Sequence, residues 1–383
     1  MKTIFLLSLS VLFAQPRIDG RIIDSKTKEP LIGVNIFFSK TTIGATTDNS
    51  GFYSFKNIPK GRYEMVISMI GYKMDKVNIN LLISDHLKMD FQLIPEPIKM
   101  KEIHVSAKAN TKEYKQWKKD YKLFKRQFLG TSLNGESCKI LNEYVLSFKK
   151  NDKTFTAEAI QPLEIENLRL GYYITYYLDE FQINRTHTKY AGESFFVEME
   201  PKSERQESQW KKNRRKAYFG SLRHFLATLG KRFNVRFEKT DNGYNEKEDW
   251  KFTTGRYGDP LVDEGFDVFF PKKYTKGFMT TTDFKLLQKD TLITATEIES
   301  ELRLSFAGKL MVVYNKESEE NNYALDRRKG TRSVQTSFLI LDTGSVVFDK
   351  KGRYFEMFMI EQQGYSAWER VGERLPLQYD PYY

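Results

Sequence analysis

Ile18-Asp19-Gly20-Arg21-Ile22 opens a stretch in which apolar and polar residues alternate, the period of a half-buried strand. Asp24 to Pro30 is a polar turn, and Val34, Ile36 and Phe38 share one face of the next strand. Asp48-Asn49-Ser50-Gly51 is a turn tetrapeptide in which Gly51 is free to take positive φ. Phe52 to Phe55 resumes the alternation, Asn57 to Gly61 turns again, and Tyr63 to Met69 and Lys73 to Leu81 form a further pair. Leu87 to Leu93 and Glu102 to Val105 close the set, with Pro95 and Pro97 suited to an edge or crossover. Short strands separated by turns at this spacing predict an antiparallel sandwich.

Five elements in this stretch recur as an ordered set: Gly20-Arg21-Ile22-Ile23-Asp24, Pro30-Leu31-Ile32-Gly33-Val34, Thr47 through Gly51-Phe52-Tyr53, Ile58-Pro59-Lys60-Gly61-Arg62-Tyr63, and Gly71-Tyr72. Together they resemble the carboxypeptidase regulatory-like domain. The resemblance implies a seven-stranded, transthyretin-like β-sandwich over residues 15–106. In Gram-negative envelopes such a module often precedes a TonB-dependent outer-membrane receptor. Only 277 residues follow Ser106, and they lack the repeated alternating segments of about ten residues that a barrel requires, so the receptor reading is set aside.

Residues 107–383 read as a larger β-rich α+β domain. A helix opens at Asn110, which stands at capping-box spacing from Glu113. Tyr114, Trp117, Tyr121, Phe124 and Phe128 then form one aromatic stripe, the pattern of core contact. Tyr144 to Phe148, Thr154 to Ala159 and Tyr172 to Ile183 read as strands. Ser203 to Phe233 reads as two helices broken near Gly220. Further strands are expected at Gly265–Phe270, Thr282–Leu287, Leu292–Ser305, Lys309–Tyr314, Val334–Leu341, Val346–Phe348 and Phe355–Ile360, before a last helix at Tyr365–Arg374. Phe128-Leu129-Gly130, Cys138-Lys139-Ile140-Leu141-Asn142, Gly171-Tyr172, Gly220-Ser221-Leu222-Arg223-His224-Phe225-Leu226 and Leu375-Pro376-Leu377-Gln378-Tyr379 are similar to an uncharacterised region that accompanies the same sandwich in exported bacterial proteins. No activity comes with that resemblance.

The chain has 383 residues, 29 Phe and 22 Tyr, ample for buried cores. Lys2 followed by the uncharged run Ile4–Phe13 reads as a signal peptide over residues 1–14, too short to span a bilayer. Ala14 suits the cleavage site, and bulky Leu12 leaves the cut free to shift by a residue or two. No later run is long enough for a transmembrane helix. The single cysteine, Cys138, forms no internal disulfide and is expected as a buried small residue.

Net charge is +11. Thr111–Arg126 and Lys202–Lys216 each hold seven basic residues against two acids, and Arg327, Arg328, Lys329 and Arg332 fall in an expected loop. The plain reading is solvated helix faces. Outside the cytoplasm such clusters could attract anionic lipid or glycan surfaces, not nucleic acid.

The motifs that carry chemistry are missing. A zinc carboxypeptidase needs a His and a Glu close in sequence plus a later His. His86, His104, His187 and His224 stand apart, none in H-E-x-x-H, and His224 is expected to be partly exposed. Asp342-Thr343-Gly344-Ser345 mimics an aspartic-protease turn, but a second copy is absent. It reads as a hairpin turn between Val334–Leu341 and Val346–Phe348. Glu297, Glu299 and Glu301 would share one face of a strand at about 7 Å spacing, within range for glycoside hydrolysis. Ser147-Phe148-Lys149-Lys150 and Ser208-Gln209-Trp210-Lys211 match S-x-x-K without its companion elements.

No catalytic, cofactor-binding or metal-binding residue is assigned, and no cofactor is expected. The reading is a non-enzymatic, exported cell-envelope protein, in the periplasm or at the outer-membrane surface of a Gram-negative bacterium, that acts as a binding or assembly module. Its contact surfaces would be sandwich edges and loops and the basic helices. The competing reading is an envelope hydrolase with its site in residues 107–383. A shallow surface with satisfied polar groups favours the first, and a deep pocket lined by perturbed carboxylates the second.

Overall fold

The computed structural model describes residues 16–82, 86–96, 111–233, 260–276, 279–286, 292–355 and 358–382, without the side chains of 271–276 and 279–286. The expected leader, the strand Glu102–Val105, Asn110 and His104 lie outside the described residues. The chain is mainly β, and three hydrophobic cores organise it.

The first core belongs to β1 (Arg17–Asp24), β2 (Asn35–Phe38), β3 (Gly44–Thr46), β4 (Phe52–Phe55), β5 (Arg62–Ser68), β6 (Asp75–Asn80), β7 (His86–Lys88) and β8 (Phe91–Leu93). One sheet holds β4 on one side of β1 and both β7 and β8 on the other, and the second sheet runs β3-β2-β5-β6. Period-two patterning sends Ile18, Ile22, Ile36, Phe38, Met65 and Ile67 into the shared interior. Eight strand segments appear among the described residues instead of seven. The last two are one line of chain, interrupted at Met89 and Asp90, with both halves parallel to β1.

The second core lies under a six-stranded sheet. Its elements are α1 (Lys112–Leu129), α2 (Leu133–Ser137), β9 (Cys138–Ile140), β10 (Leu146–Lys150), β11 (Phe155–Ala159), β12 (Leu163–Asn167), β13 (Tyr172–Ile183) and β14 (Thr188–Glu198). The order is β10-β11-β13-β12-β9, with β14 paired to the long β13. The cap of α1 is Thr111, one residue beyond the expected Asn110, and its side chain accepts from the Tyr114 amide. The aromatic stripe packs inward: Phe124 meets Phe181 at 4.6 Å and Phe128 meets Tyr176 at 4.9 Å between ring centroids. Tyr144, expected in a strand, sits in a 3-10 turn, so β10 begins at Leu146. Then come α3 (Glu204–Tyr218) and α4 (Leu222–Phe233), separated at Gly220 as the sequence predicts.

The third core packs α4 against two sheets. Its elements are α5 (Pro260–Glu264), β15 (Phe266–Lys276), β16 (Met279–Leu286), β17 (Ile293–Ala295), β18 (Glu301–Ser305), β19 (Lys309–Tyr314), α6 (Asn321–Arg327), β20 (Gln335–Leu341), β21 (Ser345–Asp349), β22 (Ile360–Gly364) and α7 (Tyr365–Trp368). The sheets run β16-β15-β19-β20-β22 and β17-β18-β21. Leu292–Ser305 is therefore two strands and a turn, not one strand. The last strand starts at Ile360, where the expected Phe355–Ile360 ends. The expected terminal helix is only α7, followed by a 3-10 turn at Val371–Glu373. Arg327, expected in a loop, is the last residue of α6. No described helix is long and apolar enough to cross a membrane.

Candidate functional site

The residues singled out by sequence do not converge. Glu297 and Glu299 are exposed in the turn between β17 and β18, whereas Glu301 begins β18 and is buried. Alternation along one strand, the basis for grouping them, is broken by that turn. Both carboxylate oxygens of Glu301 instead accept from one nitrogen of Arg62, Nη1, at 2.9 and 2.8 Å. Asp342 is exposed in a turn, but β20 and β21 belong to different sheets, so the turn joins two layers and is no hairpin.

His224 is 1% exposed, not partly exposed. It has the aromatic surfaces of Tyr218, Phe219, Phe266 and Tyr314 around it. Its Nδ1 accepts from the Gly220 amide at 3.1 Å, so the proton sits on Nε2, which faces Glu264 at 3.3 Å. Burial holds its pKa below the usual value, and the ring is a neutral core residue. His86 pairs with Asp19 and His187 lies exposed on a hairpin. Among the described residues no group of three or more His, Cys, Asp or Glu could hold a metal. Cys138 is buried, its Sγ donating to the Asn134 carbonyl, and burial pushes its thiol up to about 12.

What the fold does build is a cavity of about 1600 Å³ where the three cores meet. The sandwich contributes β5, β6 and, in the turn after β2, Ser39 and Lys40; the second unit contributes β13 and β14, and the third Arg353 to Phe355 and β22. The segment from α7 to Leu377, which packs against the second core at Val371 and Leu375, closes the wall. Backbone bonds fix the seam. The Lys40 amide donates to Ser194 at 2.6 Å, the Leu377 amide donates to Lys40 at 2.8 Å, and the Phe196 amide donates to Thr41 at 2.9 Å. These bonds hold Lys40 at φ 63, a left-handed conformation unusual for a long side chain. Phe37, on the outer face of β2, stacks on Tyr177 at 5.2 Å and meets Phe195 at 5.4 Å. Gly192, at the bulge in the β13–β14 register, has φ 155, and a Cβ there would overlap the Tyr177 carbonyl.

The electrostatics of the seam are uneven. Glu193 is fully buried, accepts from Ser39, and meets Lys76 Nζ at 3.1 Å. Burial pushes its carboxyl up, but Ser39, Lys40 and Lys76 outweigh burial and hold it below the usual value. Its neighbour Glu64 faces the cavity. Burial first, then the charge and hydrogen bond of Glu193, raise Glu64 to about 7. Deeper in, Glu369 is held well above the carboxylate range by burial and by Glu373. Glu373 is raised by burial although Ser132 and Asn134 donate to it.

Arg374 lies among Tyr190, Tyr176 and Tyr354, its guanidinium 5.3 Å from the Tyr190 ring centre. Neither Arg374 nor Lys40 forms an ion pair with a described carboxylate. The buried hydroxyls of Tyr176, Ser194 and Ser366 have no hydrogen-bond partner among the described residues. None of these residues was marked by sequence. Lys40 sits in a turn, Glu64 on the polar side of a regular strand, and Arg374 lies 334 positions from Lys40.

Residues 18–105 match the model of the CarboxypepD_reg-like domain. No curated protein matches the chain. Among solved structures, a C-terminal interface mutant of a type II cohesin–X-dockerin complex from Acetivibrio cellulolyticus is 19% identical, over 21% of this chain and 56% of that one, at a TM-score of 0.18. The chain thus spans little more than half the length of that structure. The 5-hydroxyisourate hydrolase of Klebsiella pneumoniae is 19% identical over 21% of this chain and 92% of that one, at 0.19. A DUF3823 family protein from Bacteroides ovatus is 13% identical over 49% and 82%, at 0.17. Likenesses this partial carry no argument about the cavity.

Proposed function

We propose that this chain, whose residues 18–105 are a CarboxypepD_reg-like domain, is an exported binding module of the cell envelope. The sandwich (15–106) and the β-rich remainder (107–383) together hold a ligand between them. The observation that carries the reading is the cavity itself. Its volume exceeds the roughly 300–1,000 Å³ of ordinary small-molecule pockets, and its wall mixes aromatic faces with charged groups, of which Lys40 and Arg374 have no ion-pair contact with a described carboxylate.

The test is thermal unfolding of the mature protein with extracts of the envelope fraction. An extract component should raise the Tm by preferential binding to the folded state. Thr188→Trp, which narrows the cavity from β14, should abolish the rise. An equal rise in the variant would place binding elsewhere and end the reading.

One observation favours the hydrolase reading. Glu64, raised to about 7, keeps about half its protons at neutral pH while Glu193 beside it is held below the usual carboxylate value, a separation of the kind that assigns acid and base roles. Yet hydrolysis needs both carboxyls within reach of one bond, and Glu193 is sealed behind Glu64 by Ser39 and Lys76. Turnover of an envelope glycan that disappears in Glu64→Gln would reverse the preference.

A further inference from the structure

We propose that the ligand is an acidic saccharide, its carboxylate held between Lys40 and Arg374 at the floor of the cavity. The inference rests on the cavity reading and adds the chemistry of its occupant. Eight Lys and Arg side chains line the cavity against four Glu. Three of those four, Glu64, Glu369 and Glu373, are pushed towards the neutral form. Arg62, Lys189 and Arg353 pair with Glu301, Glu180 and Asp349 behind the wall, which leaves Lys40, Arg185, Arg223, Arg370 and Arg374 without an ion-pair contact to a described carboxylate, a positive excess that low-dielectric walls concentrate.

Lys40 and Arg374 stand out within that field. They come from opposite ends of the sequence, yet the Leu377–Lys40 backbone bond brings their segments together. Their charges oppose each other, which the fold tolerates without placing a described carboxylate in ion-pair contact with either. The charge of Glu193 offsets part of the cost of burying Lys40, but no described carboxylate is in ion-pair contact with Lys40 or Arg374, and an incoming anion would lower the remaining cost for both groups at once.

Beside Arg374, the Tyr176 hydroxyl is completely buried and without a partner among the described residues, a polar atom a small shift would bring to a ligand oxygen. The rest of the wall fits a hydroxylated ring better than a peptide. Asn78 and Gln362 offer side-chain amides to hydroxyls, and Asn80 its amide N–H groups, its oxygen already accepting from the Leu82 amide. Tyr190 and Phe358 line the cavity with aromatic rings, each already crossed by a cation, although Tyr190 also packs edge-on against Phe128.

Isothermal titration of the mature full-length protein with trigalacturonate, maltotriose and triglutamate tests the proposal. Trigalacturonate should bind, and more weakly as salt rises. Maltotriose should bind at least tenfold more weakly, because the carboxylate contact is lost. Lys40→Gln and Arg374→Gln should each lower trigalacturonate affinity by about tenfold, the loss of one charge-assisted contact. Lys212→Gln on the exposed face of α3 should leave it unchanged. Because Arg374→Gln alters a buried site, Lys40→Gln with an unchanged circular dichroism spectrum decides the matter if Arg374→Gln misfolds.

No binding of trigalacturonate, equal binding of maltotriose or triglutamate, or indifference to Lys40→Gln overturns the proposal. If an envelope ligand is still lost in Thr188→Trp, the cavity reading survives and only the acidic saccharide falls. If Thr188→Trp also has no effect, both fall.

Discussion

Replacing Glu64 by Gln should stabilise the protein at alkaline pH and leave it nearly unchanged at acidic pH. Gln mimics the protonated carboxyl, keeping a donor for Glu193 while removing the ionisation that burial opposes. The folded protein raises Glu64 from 4.5 to about 7. It therefore holds a proton that the unfolded chain releases. Stability is intact below pH 4.5 and declines as pH rises to about 7. A displacement of that size corresponds to about 3.4 kcal/mol at 1.36 kcal/mol per pH unit. Glu64 keeps part of its surface on a wet cavity, so screening reduces the effect to about 1–2 kcal/mol. Glu64 and Glu193 titrate as a pair, so the curve belongs to both. Urea unfolding followed by tryptophan fluorescence from pH 5 to 8.5, with matched m values, reads the difference. Parallel curves for the two proteins would refute the argument that Glu64 carries its proton in the folded state.

Arg62→Met leaves Glu301 buried without its counter-ion and should cost about 3 kcal/mol, with faster proteolysis at the sandwich seam as a second readout. Phe128→Ala removes a side chain with no exposure, packed edge-on against Tyr176, Phe181 and Tyr190, and should cost about 3–5 kcal/mol by urea titration. Leu325→Ala, at a residue 73% exposed, should stay within about 0.5 kcal/mol and serves as the control. Cys138 should react with a thiol reagent in native protein only at the rate of local or global opening, and at once in urea, because burial both shields the thiol and keeps it protonated. Rapid native labelling would contradict its placement.

The sandwich was readable because each strand has one wet face and one dry face, which prints a period of two into the sequence. β13 was readable for the same reason, down to its limits at Tyr172 and Ile183. Its partner β14 was not. Ala191, Gly192, Glu193 and Ser194 are buried in succession, because the sandwich covers the face that would otherwise meet solvent. Burial on both faces erases alternation, and a Glu and a Ser in the middle look like loop residues until Ser39 and Lys76 are seen to surround the carboxylate. The supposed row Glu297, Glu299 and Glu301 failed in the opposite direction, since a turn can imitate period two over five residues. His224 was misplaced because helical spacing says which side a residue takes and not what packs there, and α5 and β15 cover that side.

The cavity could not be read from sequence at all, and the reason lies in how it is made. Its members are ordinary within their own elements: a turn lysine, a strand glutamate, a tyrosine in a tyrosine-rich strand, an arginine before Leu375 and Pro376. They become unusual only when three cores close on one another. A seam held purely by apolar packing would have been simpler, and replacing buried charges by apolar groups is often stabilising. Here the seam instead keeps an ionised Glu193, a Glu64 raised to about 7 and two cations without ion-pair contact to a described carboxylate. Ion pairs at its flanks, Arg62 with Glu301 and Lys76 with Asp179 and Glu193, hold the units in place without using Lys40 or Arg374. The side-chain charges of Lys40 and Arg374 are left to shape the space between the units, while the Lys40 backbone joins them. That division of labour is what a ligand site between domains requires, because the charges that bind a ligand must remain unneutralised until it arrives.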